Sequence, residues 1–259
     1  MHYESIKDKF ARAITGSAFL RKMFYLALDM LFLRQWYIKK EIKRNFSPKN
    51  KLKFYDAGAG FGQYSWFVLQ NWPEAQVHAV DLKADYMDSF VKFACQYFPD
   101  KISARQADLT AYVPDQQYDL IVASDILEHI ADDRQVLANF RKALKPGGKL
   151  IISTPSNFDE SAEFVAEHVR PGYSKAELTE KLQTAGFKVN KFTFSYGFWG
   201  HLYWLLCLKF PLSLVQKFKP FLVLLPIYYL PVYPLGALFM LLDMLKDNKQ
   251  GTGIIVVAE

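Results

Sequence analysis

Residues 56–62 read Asp-Ala-Gly-Ala-Gly-Phe-Gly and join a strand-like apolar run, 52–57 (LKFYDA), to a helical one. Glycines at 58, 60 and 62 let the backbone turn sharply and approach a ligand, and the start of the next helix offers unpaired N–H groups. A loop of this kind belongs at the carboxyl end of a parallel strand, where a helix crosses back over the sheet. Its spacing also separates ligand classes. A dinucleotide fingerprint, GxGxxG counted from Gly58, needs glycine at position 63, and this chain has Gln63. Asp56, just before the glycines, suits a ligand that carries an ammonium group.

Strand and helix patterns alternate from 51 to 195. Strand-like runs at 76–81 (QVHAVD), 102–107 (ISARQA), 118–124 (YDLIVAS), 149–154 (KLIIST) and 187–195 (FKVNKFTFS) are separated by helical patterns, and 252–259 (TGIIVVAE) reads as a final strand. Residues 132–144 put Val136, Leu137, Phe140 and Leu144 on one helical face, which Pro146-Gly147-Gly148 terminates. Ser174 and Glu177 form a capping box for a helix over 175–185, closed by Gly186. Alternation of this kind predicts a doubly wound α/β fold, a mainly parallel sheet with helices on both faces. With 259 residues, 51% of them hydrophobic, the chain can fill one sizeable core. Cys95 and Cys207 lie far apart in apolar surroundings and read as reduced thiols. No His/Cys cluster has metal-ligand spacing, so no metal is expected.

Acidic groups close the other strands. Asp81 ends the second strand, where a carboxylate can accept from both ribose hydroxyls. Asp108, in Ala-Asp-Leu, ends the third, where it could accept from an adenine amino group with Leu109 against the ring. Ser124 and Asp125 end the fourth. Each aspartate alone reads equally well as a helix cap, but four in order at strand ends point to one ligand crevice.

With these motifs (DAGAGFG, the VDL ending at Leu82, QADL at 106–109, YDLIVASDILEHI at 118–130 and LKPGGKLIIST at 144–154) the chain resembles the class I methyltransferases over about residues 50–195 plus the last strand. The resemblance implies a Rossmann-like seven-stranded sheet whose last strand is antiparallel, and S-adenosylmethionine as cofactor. It implies that the glycine loop, with Asp56, Ala57, Gly58, Gly60 and Tyr64, carries the methionine part. Asp81 with Leu82 would hold the ribose, Asp108 with Leu109 would meet the adenine, and Ser124 would complete the set.

Methyl transfer from a sulfonium needs alignment and desolvation, and a general base where the acceptor must lose a proton. His129 is one candidate, sharing a face with Asp125 if the segment is helical; its alternative role is to fix the loop after the fourth strand. His168 and Tyr173, in Glu-His-Val-Arg-Pro-Gly-Tyr, are the others, on a loop expected to overhang the pocket; the alternative there is a lid anchored by Arg170. No Pro-Pro-aromatic motif follows the fourth strand, and the basic residues do not alternate with aromatics along a groove, so no nucleic-acid partner is expected.

Residues 196–248 stand where a compact relative has a short hairpin. Phe221–Leu242 carries no charge, contains Pro226, Pro231 and Pro234, and is separated from an aromatic run, Trp199–Leu208, by Lys209, Lys217 and Lys219. At the other end, Ser17–Arg44 reads as one helix, apolar over 23–33 and basic after it. The net charge of +6 favours an anionic partner. The expected organisation is an N-terminal apolar-basic segment (1–50), a catalytic domain (51–195 plus 249–259) and a membrane-associating insertion (196–248). The insertion is expected to lie in or re-enter the interface, the prolines disfavouring a straight spanning helix. No secretory signal is visible, which places the enzyme on the cytoplasmic face of a membrane, or in the cytosol if the insertion is only a lid. The expected substrate is small and hydrophobic or lipid-like. A protein methyltransferase that docks through the insertion, and a cofactor-binding membrane module without turnover, are the alternatives. The sequence sets no oligomeric state.

Overall fold

The computed structural model describes residues 16–158 and 168–259. Seven strands form one sheet in the order β3-β2-β1-β4-β5-β7-β6. Strands β1 (Lys53–Ala57), β2 (Gln76–Asp81), β3 (Ile102–Gln106), β4 (Tyr118–Ser124) and β5 (Leu144–Pro155) pair in parallel. The last strand, β7 (Gly253–Ala258), inserts antiparallel between β5 and β6 (Val189–Ser195). Strand order reverses between β1 and β4, the switch point where open α/β sheets bind ligands.

Both faces of the sheet are covered, which is why Leu120–Ala123 of β4 and Leu150–Ile152 of β5 are apolar at consecutive positions. Leu120, Val122 and Ile151 point into one core with Val68 of α3 (Gln63–Asn71) and Phe90 of α4 (Ala84–Ala94). Ile121, Ala123 and Ile152 point into the other with Val136, Leu137 and Phe140 of α5 (Asp133–Ala143) and Leu178 and Leu182 of α6 (Lys175–Thr184). No helix fills the β3–β4 connection, where only turns follow Asp108.

The N-terminal region differs from the single expected helix. It forms α1 (Ala18–Leu31) and α2 (Leu33–Asn45), parted at Phe32, whose backbone is extended (φ −122°, ψ 108°). No proline or glycine marks the break. It comes from tertiary contact: the Tyr203 hydroxyl donates to the carbonyls of Met30 and Leu31 (3.0 and 2.8 Å), and α2 turns onto the sheet with Leu33, Ile38 and Ile42 fully buried.

The insertion forms a helical hairpin. Its first arm is α7 (Phe198–Trp204), a π-turn (Leu205–Lys209) and α8 (Phe210–Lys217); its second is α9 (Phe221–Leu245). The prolines do not end the second arm, because α9 runs from Phe221 to Leu245 through Pro226, Pro231 and Pro234. Each proline removes one backbone donor. The hydroxyls of Tyr228 and Tyr229, donating to Leu206 and Cys207 carbonyls (2.7 and 2.6 Å), brace α9 against the π-turn.

The hairpin root belongs to the main core, with Tyr203, Cys207 and Met240 buried beside Leu33 and Tyr37. The arms touch at Gly236, where a Cβ would lie 2.4 Å from Cys207 Sγ. Asp243, fully buried, accepts from the Tyr37 hydroxyl (2.9 Å) and the N–H groups of Gly200 (3.0 Å) and Tyr196 (3.1 Å). Asp243→Ala strands the N–H groups of Tyr196 and Gly200, while the Tyr37 hydroxyl keeps the Asp243 carbonyl (2.9 Å), and is expected to lower stability by about 2 kcal/mol or more, read by urea unfolding. An unchanged midpoint would show that this node does not hold hairpin and core together.

Candidate active site

The glycine loop is built by hydrogen bonds from below. Gly58 and Ala59 N–H groups donate to Val80 O (2.8 and 2.9 Å), and Gly60 N–H donates to Asp81 Oδ2 (2.8 Å). Gly58, Gly60 and Gly62 all have positive φ (73°, 54° and 77°), which a side chain would strain. A Cβ on Gly58 would meet Ile126 at 2.1 Å and one on Gly62 would meet Phe90 at 2.3 Å, whereas Gly60 has nothing within 4 Å and faces open space. Asp81 also accepts the Lys83 N–H on Oδ1 (3.0 Å), and Leu82 beside it is 65% exposed. Asp108 Oδ1 accepts the N–H and hydroxyl of Thr110 (2.8 Å each).

Asp56 sits beneath the loop, 2% exposed, and accepts from the Ser65 N–H (3.0 Å) and hydroxyl (2.6 Å). Burial pushes its carboxyl up to about 7. Relative to an unfolded carboxyl, the folded protein therefore holds an extra proton between about pH 4 and 7, and stability falls as pH rises through that window. Asp56→Asn is expected to flatten that part of the stability–pH curve, measured by thermal unfolding from pH 4 to 8. An unaltered slope would mean that Asp56 is ionised throughout.

Helix α1 lies over the loop tip. The Tyr25 hydroxyl (2.5 Å) and Arg21 (3.2 Å) donate to Phe61 O, Arg21 also reaches Ser89, and Phe61 stacks on Tyr86 at 4.5 Å.

Beyond β4 the chain turns at Asp125, which has φ 53°, and its carboxylate pairs with Arg34 Nε of α2 (2.7 Å) and accepts from Ser153 Oγ (3.3 Å). Burial alone would lower the Arg34 pKa. The Asp125 carboxylate, with Tyr196, Tyr64 and Glu128, outweighs that and keeps the guanidinium charged. Here a cavity of about 550 Å³ opens at the ends of β4 and β5. Arg34, Asp125, Thr154, Tyr196, His201 and Lys209 are among the residues that line it.

His129 and His168 meet with ring centres 4.6 Å apart, nearly perpendicular. With Glu128 they bring three donor atoms within 4.8 Å of one another, a spacing that a metal ion could bridge. Glu128 accepts from the Thr154 hydroxyl (3.1 Å), and burial together with the Asp125 charge pushes it up to about 8.

Residues 55–150 match the family model described as a methyltransferase domain. A trans-aconitate 2-methyltransferase of Azoarcus sp. (strain BH72) is 35% identical over 105 residues, 40% of each chain. The ubiquinone biosynthesis O-methyltransferase of Rickettsia prowazekii is 30% identical over 141 residues, 53% of this chain and 54% of that one. The chain thus spans about half or less of the length of these relatives. Among solved structures, phosphoethanolamine N-methyltransferase 2 of Haemonchus contortus, in complex with S-adenosyl-L-methionine, superposes with a TM-score of 0.59 at 19% identity, over 86% of this chain and 52% of that one. The chain carries a class I methyltransferase domain. Its cofactor is S-adenosylmethionine.

The crevice of this methyltransferase domain fits that cofactor. Gly60 leaves room where a ligand must approach the backbone, each Asp81 oxygen keeps a lone pair for a ribose hydroxyl, and Leu82 offers an exposed apolar face. Gly58, Gly60, Asp81, Leu82 and Asp108 border the open side. Asp56, Ala57, Tyr64 and Leu109 are buried beneath it, so they shape the site rather than face it. The Leu109 side chain packs in the α5-side core. Tyr64 reaches Ser124 Oγ at 3.3 Å.

The base candidates are placed unexpectedly. Asp125 is left-handed and only a short 3₁₀ turn, Leu127–His129, follows, so Asp125 and His129 share no helical face. Neither His129 nor His168 lines the cavity. Tyr173 is fully buried, its hydroxyl bound to Asp133 (2.6 Å), Leu127 O (3.1 Å) and Arg170 (2.8 Å). It anchors the loop after β5, as does Arg170, which also binds Asp133 and the carbonyls of Ile130 and Ala131. The residues that do line the cavity, Arg34, His201 and Lys209, were not expected there.

Proposed function

We propose that this methyltransferase domain transfers the methyl group of S-adenosylmethionine to a small hydrophobic or lipid-like acceptor at the cytoplasmic face of a membrane. The observation that carries the reading is the cavity beyond β4. It opens at Asp125, the residue after Ser124 at the end of β4, and one of its walls is the base of the apolar hairpin.

The cofactor, when bound, supplies a methyl group already activated on sulfur. The chain's own residues then have two tasks, alignment and exclusion of water. The Arg34–Asp125 pair lies in the cavity lining and joins α2 to the end of β4. Apolar walls at Trp204 and Leu208 suit a hydrocarbon or aromatic body, and the His201 imidazole and the Lys209 ammonium suit an acidic or phenolic end. Membrane attachment rests on exposed apolar side chains. Val223, Ile227 and Leu230 of α9 are 79, 64 and 75% exposed, and only 6% of the most apolar stretch of that helix is buried. Soluble monomers rarely carry a surface of this kind.

Incubating the protein with methyl-labelled cofactor and separate lipid, protein and polar-metabolite fractions tests the reading. Label is expected in the lipid fraction. Label confined to protein would replace this acceptor class with a polypeptide, and label in no fraction would contradict turnover.

A further inference from the structure

A second concavity, of about 630 Å³, lies between the α1–α2 corner and the last turn of α9, and it shares no residue with the acceptor cavity. Trp36, Lys39, Lys40, Lys43 and Arg44 line it from one face of α2, with Asp29 from α1 and Met244 from α9. Lys39 pairs with Asp29, and the Trp36 indole donates to Asp29 O (2.7 Å). Lys40 reaches the Met244 carbonyl (3.1 Å), and Lys43 lies over the Phe67 ring at 5.4 Å. Among the described residues, Lys40, Lys43 and Arg44 form no ion pair with a carboxylate.

The position of this basic groove selects its occupant. It sits just past the uncharged run Phe221–Leu242, at the hairpin root. It also adjoins the end of α1, whose outer face exposes Phe19, Leu20, Met23 and Leu26. With those apolar surfaces in hydrocarbon, the groove lies at headgroup depth, where tryptophan and lysine are favoured. A soluble polyanion would gain nothing from the adjoining apolar faces.

We propose that this groove binds the phosphate of an anionic phospholipid, with Lys40, Lys43 and Arg44 as donors, and so fixes how the domain sits on the membrane. The proposal rests on the membrane reading given above and adds a defined lipid site to it.

Flotation of the full chain with vesicles of phosphatidylcholine alone, or with about one-fifth phosphatidylglycerol, tests it. The variant Lys40→Gln/Lys43→Gln/Arg44→Gln is compared with Lys92→Gln/Lys142→Gln/Lys188→Gln, which removes the same charge from exposed positions on other elements. The expected result is unchanged binding of the groove variant to neutral vesicles and a loss of roughly 100-fold on anionic ones, about fivefold per cation, with at most about a twofold loss in the control. Equal losses in both variants would overturn the site in favour of diffuse attraction. Neutral binding without any gain from phosphatidylglycerol would overturn the groove and leave the hairpin reading standing. Failure to bind either vesicle would overturn the membrane reading, and the groove with it. Displacement from anionic vesicles by inorganic phosphate or by RNA at constant ionic strength, lost in the groove variant, would assign the groove to a soluble anion instead.

Discussion

Replacing Asp81 by alanine is expected to weaken S-adenosylmethionine binding by about 1.5–3 kcal/mol, roughly 10- to 150-fold in Kd. Two losses contribute. The ribose would lose a charged acceptor, and the Gly60 and Lys83 N–H groups would lose the carboxylate that holds the loop in place. Calorimetric titration with S-adenosylhomocysteine reads the effect without depending on the acceptor. Asp81→Asn should fall between wild type and alanine, since it keeps an oxygen but loses the charge. Wild-type affinity in both variants would remove Asp81 from the cofactor site.

Replacing Leu222, Val223, Ile227 and Leu230 by serine is expected to release the protein from vesicles. All four are more than half exposed, so the folded core loses nothing when they change. Burying each of these side chains in lipid contributes about 1.5–3 kcal/mol, so losing the four should weaken attachment by at least a thousandfold. Excising the whole insertion is a poorer test, because its root carries Tyr203, Cys207, Met240 and Asp243 into the core. Sedimentation with neutral vesicles separates the outcomes. If the serine variant and the wild type sediment alike, the outer face of α9 is not the attachment surface.

The crevice is legible in the sequence because its determinants are local and ordered along the chain. A glycine loop follows β1, and carboxylates follow β2 and β3, each one strand end apart in chain order. The sheet is legible for the same reason, including the final strand. The acceptor cavity is not, because Arg34 meets Asp125 across ninety-one positions and no local pattern announces the pair. The break at Phe32 likewise depends on Tyr203, and continuity through three prolines depends on contacts between the hairpin arms. The placement of the histidine candidates was not legible either. His129 and His168 do come together, but beside Glu128 rather than at the cavity wall, since the left-handed turn at Asp125 redirects the chain.

An acceptor carried by a membrane would reach the cavity beside the hairpin without passing through water. The most direct measurement is the initial rate of label transfer into a lipid extract incorporated in vesicles, comparing wild type with the four-serine variant at saturating cofactor. Equal affinity for S-adenosylhomocysteine is expected in both proteins, with a rate at least tenfold lower in the variant, about 1.4 kcal/mol or more, restored when detergent disperses the extract. Equal rates on vesicles would contradict this route, showing that the acceptor reaches the cavity from water.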